Sequence, residues 1–183
     1  MTDIVDVSTL NECFICNSEA GSLTWKHRPR HHFATDRACN TWNSCFAGRQ
    51  AGGRKDNLGY FQVSINDHRV YLHRVVWAMS KGTWPGTFLD HIDGNPSNNS
   101  LVNLREATNQ QNSHNRKKNR NNTSGYIGVR WSPRQKKWSA AIRVNWKLLH
   151  LGYFDSIDDA HNAYLTHKRT HHAFYNKDRM GLR

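Results

Sequence analysis

The sequence contains no stretch of roughly 18 consecutive apolar residues, so no membrane-spanning helix is expected. Its opening residues, MTDIVDVSTLNECF, start acidic and lack a long apolar core, so no secretion signal is expected either, and the expected location is the cytoplasm. Hydrophobic residues are sparse at 37%, too few for one large core in 183 residues. Acidic residues are also sparse, 14 against 26 lysines and arginines. The shortage is local: residues 116–183 hold 15 basic and 4 acidic residues, whereas residues 1–115 hold 11 and 10. Cysteine is limited to four residues, all between positions 13 and 45. There is no internal repeat and no low-complexity tract.

Aromatic residues, by contrast, are plentiful, with seven Trp, six Tyr and seven Phe. Several small cores, each anchored by a few aromatics, fit these figures. The near-neutral front and strongly basic back imply a polyanion partner for the back, since its basic residues are interleaved with Trp, Tyr and Asn. A basic surface that only maintains solubility is the plainer alternative.

The chain reads as α+β and as several small domains. Residues 1–50 form a Cys-rich segment, and AGGRKDNLG (51–59) is a polar, Gly-rich boundary. Over 58–115, Tyr60–Ile65 is a predicted strand, Asn66-Asp67 a turn and Arg69–Leu72 a returning strand. Val75, Val76 and Met79 then recur at helical spacing from His73 to Lys81, with Gly82 as the stop. From about Arg105 to Asn115 the composition permits a short helix. RKKNRNNTS (116–124) is a basic linker without apolar residues. Residues 125–175 carry three predicted strands, near 126–131, 138–144 and 148–154, followed by a helix that opens on a capping box, Ser156 to Asp159.

The chemistry concentrates in Leu89-Asp90-His91-Ile92-Asp93-Gly94-Asn95. An adjacent carboxylate and imidazole leaving a strand end point to opposite sides. Phosphodiester hydrolysis needs a group that deprotonates water and a charge that stabilises the departing oxygen. Imidazole suits the first task near neutral pH, and a carboxylate oxygen suits a hard cation such as Mg²⁺. Downstream lie Asn98-Asn99, Asn103-Leu104-Arg105 and Asn112; Asn103 stands 12 residues after His91 and Asn112 a further 9.

With His73-Arg74 after the hairpin, this spaced set resembles the HNH, or ββα-metal, nucleases, and in particular phage homing endonucleases in which Asn replaces the final His. The resemblance covers residues 58–115. It implies a site-specific DNA endonuclease of phage or mobile-element origin, with Asp90 and Asn112 as ligands of the catalytic metal, His91 as general base, and Asn103 bracing the loop and orienting His91. Carboxylate and amide oxygens favour Mg²⁺ or Mn²⁺ over Zn²⁺. Asp93, Asn95, Asn98 and Asn99 are expected to bond their own loop backbone. His73 could meet a phosphate or pack against Trp77. Arg74 and Arg105 are candidate phosphate ligands or partners in surface ion pairs. A non-catalytic, sequence-specific DNA-binding regulator built on the same fold is the alternative.

Residues 123–173 resemble the plant ethylene-response-factor (APETALA-type) DNA-binding domain through Gly125-Tyr126-Ile127-Gly128-Val129-Arg130, Trp138, Ala141-Ile142-Arg143, Leu151-Gly152-Tyr153-Phe154 and Ala160-His161-Asn162-Ala163-Tyr164. That family lays a three-stranded sheet in the major groove of double-stranded DNA, where Arg can read guanine edges. The resemblance implies DNA contacts from Arg130, Trp131, Arg134, Trp138, Arg143 and Lys147, with Trp146 a further candidate. The linker adds Arg116, Lys117, Lys118 and Arg120 as phosphate ligands. Ile127 stands where the plant pattern has Arg, so the plant target sequence does not carry over. Monomer and homodimer are both compatible with the sequence.

Clustered cysteines in a reducing compartment point to metal rather than to disulfides. Cys13-Phe14-Ile15-Cys16 is a C-x₂-C knuckle that Cys39 and Cys45 could complete as a structural zinc site, with His27, His31 or His32 replacing one thiol. Reduced, partly buried thiols are the plainer reading.

Overall fold

The computed structural model describes residues 5–114, 118–119, 121–172 and 174. Among these the chain is mixed α and β, with small antiparallel sheets. Among the described residues no helix is long and apolar enough to cross a membrane. It divides into two compact units, Met1–Glu106 and Ala107–Arg183.

The first unit begins with helix α1 (Val7–Cys13), whose N-cap, the Asp6 side chain, accepts a hydrogen bond from the Thr9 N–H. Strands β1 (Phe14–Asn17), β2 (Ser22–Trp25) and β3 (Gln50–Ala51) form one sheet. Helix α2 (Asp36–Phe46), capped by Thr35, lies between the last two in sequence. Strands β4 (Arg54–Lys55), β5 (Phe61–Ile65) and β6 (His68–Tyr71) form the second sheet. Asn66 and Asp67 turn the β5–β6 hairpin with φ of 47° and 64°, the left-handed pair that a tight hairpin requires and that Asn and Asp tolerate. Helix α3 (Leu72–Lys81) follows and ends at a left-handed Gly82.

One core joins these pieces. Leu10, Cys13, Phe14, Leu23 and Ala51 from the Cys-rich segment pack with Val63, Ile65, Leu72, Val75 and Val76 from the hairpin and α3. Each fully buried branched aliphatic or aromatic side chain contributes roughly 2 kcal/mol. The first 50 residues therefore obtain their apolar partners from the hairpin and α3.

Strands β7 (Phe88–His91) and β8 (Leu104–Ala107) pair as a two-stranded ladder. This corrects the helix expected from Arg105. Helix α4 (Asn109–His114) starts only after Thr108, whose Oγ1 accepts from the Gln111 N–H at 3.2 Å. The reason is tertiary, because β8 brings Arg105 to Asp90.

In the second unit, β9 (Val129–Ser132), β10 (Lys137–Val144) and β11 (Lys147–Phe154) form an antiparallel sheet in the order β11-β10-β9. Residues 126–128, expected as strand, are turn leading into β9. Helix α5 (Ile157–His171) starts at Ser156, whose hydroxyl accepts from the Asp158 N–H. Ala160, Tyr164 and Leu165 of α5 are buried with Val129, Ala140 and Ile142 of the sheet in two small clusters.

Candidate active site

Asp90 and His91 end β7, and both are buried, at 4% and 3% exposure. Burial of two such polar groups is tolerated only if each is met by a partner. Arg105, on the paired strand β8, supplies one: its Nε and Nη2 donate to Asp90 Oδ2 at 3.1 and 2.8 Å. Arg105, one of the two candidate phosphate ligands here, is therefore engaged with the carboxylate. Arg74, the other, lies over the Trp84 ring and donates to the Pro85 carbonyl at 3.5 Å.

His91 Nε2 is 3.1 Å from Asn99 Oδ1, and Asn99 is buried to 3% exposure. Asn99 was expected to bond its own loop backbone, and its contact with His91 corrects that expectation. Asn103 was expected to brace the loop and to orient His91. Its side chain does the bracing: Oδ1 accepts from the Asp93 N–H at 3.0 Å, and Nδ2 donates to Asp93 Oδ1 at 3.0 Å and to the Asn98 carbonyl at 2.8 Å. The Asn103 carbonyl also accepts from the Ile92 N–H at 2.8 Å. Asp93 and Asn95 fold onto their own loop as expected, Asp93 Oδ1 accepting from the Asn95 N–H and Asn95 Oδ1 from the Ser97 N–H. Burial acts to raise the Asp93 pKa, but hydrogen bonds from the Asn95 N–H and the Asn98 and Asn103 side chains outweigh it and hold the carboxyl below its ordinary value.

Aromatic rings enclose His91. Tyr60 and His73 stand 5.6 and 5.0 Å from it, centroid to centroid, and Tyr71 stacks on His73 at 5.5 Å. Asp56 holds this wall, accepting from the Tyr60 N–H at 2.9 Å and from the Tyr71 hydroxyl at 3.3 Å. His73 is buried and its Nδ1 has no hydrogen-bond partner. Burial, followed by the charges of His91 and Arg74, pushes its pKa down to about 3. The ring neighbours of His73 are Tyr60, Tyr71 and His91.

The Cys-rich segment supports the loop from behind. The Leu101 N–H donates to the Ser18 carbonyl at 2.8 Å. Gly21, at φ +61°, lies so close that a Cβ on it would stand 2.1 Å from the Asn99 carbonyl carbon. Only glycine fits there.

The four thiols expected to share a zinc are not brought together. Cys13 is buried with its Sγ 3.8 Å from His32 Nδ1, and Cys39 is buried against Asn43 Nδ2 at 3.3 Å and the Arg28 carbonyl. Cys16 is half-buried and Cys45 is exposed. The reason is packing: Cys13 and Cys39 serve as small apolar groups in the interior. Among the described residues, the group able to hold a cation is Glu12, His31 and His32. His31 Nε2 and His32 Nε2 lie 3.0 and 2.7 Å from Glu12 Oε2. Arg28 Nε donates to His32 Nδ1 at 3.1 Å, which places the ring proton of neutral His32 on the nitrogen facing Glu12.

Asn112, the expected second ligand of the catalytic metal, is an exposed residue of α4 in the second unit. In that unit Arg130, Arg143 and Lys147 on the sheet and Arg134 in the β9–β10 turn are all exposed. Pairing of Ser139 with Arg130 and Tyr153, and of Arg143 with Leu148, sets Arg130 and Arg143 on the face opposite the buried Ala140 and Ile142. Trp131 and Trp146 are exposed. Trp138 instead packs on Val129, Ala140 and Ala160, so this candidate DNA contact belongs to the helix-side core. Lys118 is exposed and donates to the Gly125 carbonyl at 3.0 Å, while Arg116, Lys117 and Arg120 lie outside the described residues.

Comparison with known proteins supplies the wider context. Residues 70–114 match the model of the HNH endonuclease family. Protein 3.8 of Escherichia phage T7 is 36% identical over 103 residues, covering 56% of this chain and 85% of that protein. A solved structure of DNA binding and cleavage by the HNH homing endonuclease I-HmuI is similar over 61% of this chain and 55% of that chain, at 20% identity and a TM-score of 0.40. Hence the chain spans just over half of that protein's length. With a third of the aligned positions identical across most of the phage relative, the chain belongs to the family of Protein 3.8, and it carries an HNH endonuclease domain at residues 70–114.

Proposed function

We propose that the protein is a site-specific DNA endonuclease that hydrolyses phosphodiester bonds with one divalent cation and His91 as general base. The observation that carries the reading is the buried Asp90–His91 pair at the end of β7, inside the HNH domain, on a loop laced by Asn103. A carboxylate and an imidazole buried side by side cost stability even when partnered, and arrangements of that kind concentrate at functional sites.

Asp90 and Asn112 would hold the cation, and an oxygen donor set of this kind fits Mg²⁺ or Mn²⁺. When bound, the cation supplies positive charge for the developing phosphorane and the departing oxygen. The imidazole of His91 takes one proton from the attacking water. The water oxygen bonds to phosphorus, and the bond from phosphorus to the 3′ oxygen breaks with its electron pair; the departing oxygen takes a proton from solvent water, leaving 5′-phosphate and 3′-hydroxyl ends, and His91 returns its proton to solvent. Arg105 restrains the Asp90 carboxylate through Oδ2.

Target choice belongs in this reading to the second unit, by likeness to ethylene-response-factor domains. Arg130 and Arg143 on the open sheet face would enter the major groove, with Arg134, Lys147 and Trp146 as further contacts; Trp131, the cross-strand partner of Trp138, shares the helix-side face and would meet DNA only at the sheet edge. Lys118 and its basic neighbours in the linker would follow phosphates. One such active site in a monomer nicks one strand, and a homodimer cuts both.

The test is a supercoiled plasmid incubated with the protein and Mg²⁺, with and without a chelator. Chelator-sensitive nicking is the expected result, and His91→Ala should bind DNA as wild type does but not cut it. Undiminished cutting by that variant would sink the assignment. The Arg105–Asp90 ion pair favours a second reading, a regulator that binds DNA without cutting it. Tight binding with no cleavage in Mg²⁺ or Mn²⁺ would select that reading.

A further inference from the structure

We infer that Asn99 is the positioning residue of the candidate base: its side-chain oxygen holds neutral His91 with the proton on Nε2, so that Nδ1 is the atom that accepts the proton of the attacking water. This deepens the hydrolytic reading above and rests on it.

The argument begins with the inventory of donors. Neutral imidazole has one N–H and one lone pair, and the partner of either nitrogen decides which is which. His91 Nε2 lies 3.1 Å from Asn99 Oδ1, an acceptor without a proton. Nε2 must therefore donate, and the basic lone pair falls on Nδ1. Both residues are buried, at 3% exposure each, so water does not compete for this bond.

Asn103 has a different task. All three of its side-chain hydrogen bonds go to Asp93 and to the Asn98 carbonyl. They hold the curve of the loop, and the contact with the ring is made by Asn99. The ring plane is set separately, by Tyr60 and by the edge-to-face His73 at 5.0 Å, with 73° between the His73 and His91 planes. The carrier of Asn99 is itself fixed from the N-terminal side. Gly21 backs directly onto the Asn99 carbonyl, and the Ser18 carbonyl takes the Leu101 N–H. A one-residue slip of the loop would withdraw Oδ1 from Nε2. A neutral amide also orients the ring without adding a second negative charge beside Asp90.

The experiment uses the full chain labelled with ¹⁵N-histidine, with the His91 signals assigned by their loss in His91→Gln. Long-range ¹H–¹⁵N spectra at a pH where the ring is neutral should show His91 protonated on Nε2. In Asn99→Leu that preference should decay toward a mixture, and Asn99→Asp, which keeps an acceptor, should restore it. A wild-type His91 protonated on Nδ1, or an unchanged tautomer in Asn99→Leu, overturns the inference. In cleavage assays Asn99→Leu should lower kcat about 100-fold, the cost of a misaligned catalytic group, with KM for DNA unchanged. Asn99→Asp should recover most of that loss. A raised KM with unaltered kcat overturns the positioning role. With His91 assigned through His91→Gln, the wild-type spectrum decides the tautomer even if neither Asn99 variant folds. It also decides it without any cleavage, so a failure of the nuclease reading, seen as an inert wild-type protein, is distinct from a failure of this inference.

Discussion

His73 should make the first unit sensitive to acid, and replacing it should remove that sensitivity. Its ring is buried among Tyr60, Tyr71 and His91, its Nδ1 has no partner, and its pKa falls from 6.5 to about 3. The sign follows from proton binding. Above the ordinary histidine value the ring is neutral in both the folded and unfolded chain, and His73 adds no pH dependence. Below it, the unfolded chain binds a proton that the folded chain refuses, so stability falls as pH drops from 6.5 toward 3. Each pKa unit corresponds to about 1.4 kcal/mol, so the loss is about 2 kcal/mol by about pH 5 and about 5 kcal/mol once the folded ring also titrates. The perturbation is His73→Phe, which keeps an aromatic ring against its neighbours but cannot titrate. The assay is guanidinium unfolding followed by tryptophan fluorescence, for both proteins, at neutral pH and at about pH 5. The histidines distant from His73 contribute equally to both proteins, so the wild type should lose about 2 kcal/mol more than the variant, apart from the change that His91 feels when its neighbour goes. Equal losses in the two proteins would refute the reasoning.

Gly21→Ala should destabilise the protein by about 2 kcal/mol or more, since it combines a left-handed backbone with a clash against the Asn99–Ser100 peptide. Guanidinium unfolding checks the stability, and cleavage should fall with it; a wild-type unfolding midpoint would remove the N-terminal segment as the support of the loop. Arg130→Ala and Arg143→Ala should weaken DNA binding, and each should reduce the slope of log affinity against log salt by about one if its contact is to phosphate. A base contact would instead relax sequence preference at one position, and no change in either measure would move the DNA face elsewhere. Zn²⁺ taken up by the N-terminal segment should depend on His31 and His32 and not on Cys16 or Cys45, because among the described residues it is the two histidines that converge with Glu12. Metal analysis of His31→Ala beside Cys16→Ser checks this, and loss of zinc in the cysteine variant would restore the thiolate site.

Local chemistry in the sequence was enough to specify the β5–β6 hairpin at Asn66-Asp67, the end of α3 at Gly82, the start of α5 at Ser156 and the Asp90-His91 pair within an HNH domain. Each depends on a few neighbouring residues: a pair that tolerates positive φ, a glycine stop, a capping hydroxyl, or a motif of fixed spacing. The tertiary structure alone decided that Leu104–Ala107 is strand, that Cys13 and Cys39 fill the core while Glu12, His31 and His32 meet, and that Asn99 reaches the His91 ring. Asn95, Asn98, Asn99 and Asn103 carry the same amide, and their sequence positions do not say which one turns inward. Burial and the peptide of Gly21 pressed against the loop make that choice, because a hydrogen bond between side chains distant in sequence exists only once packing has set their separation.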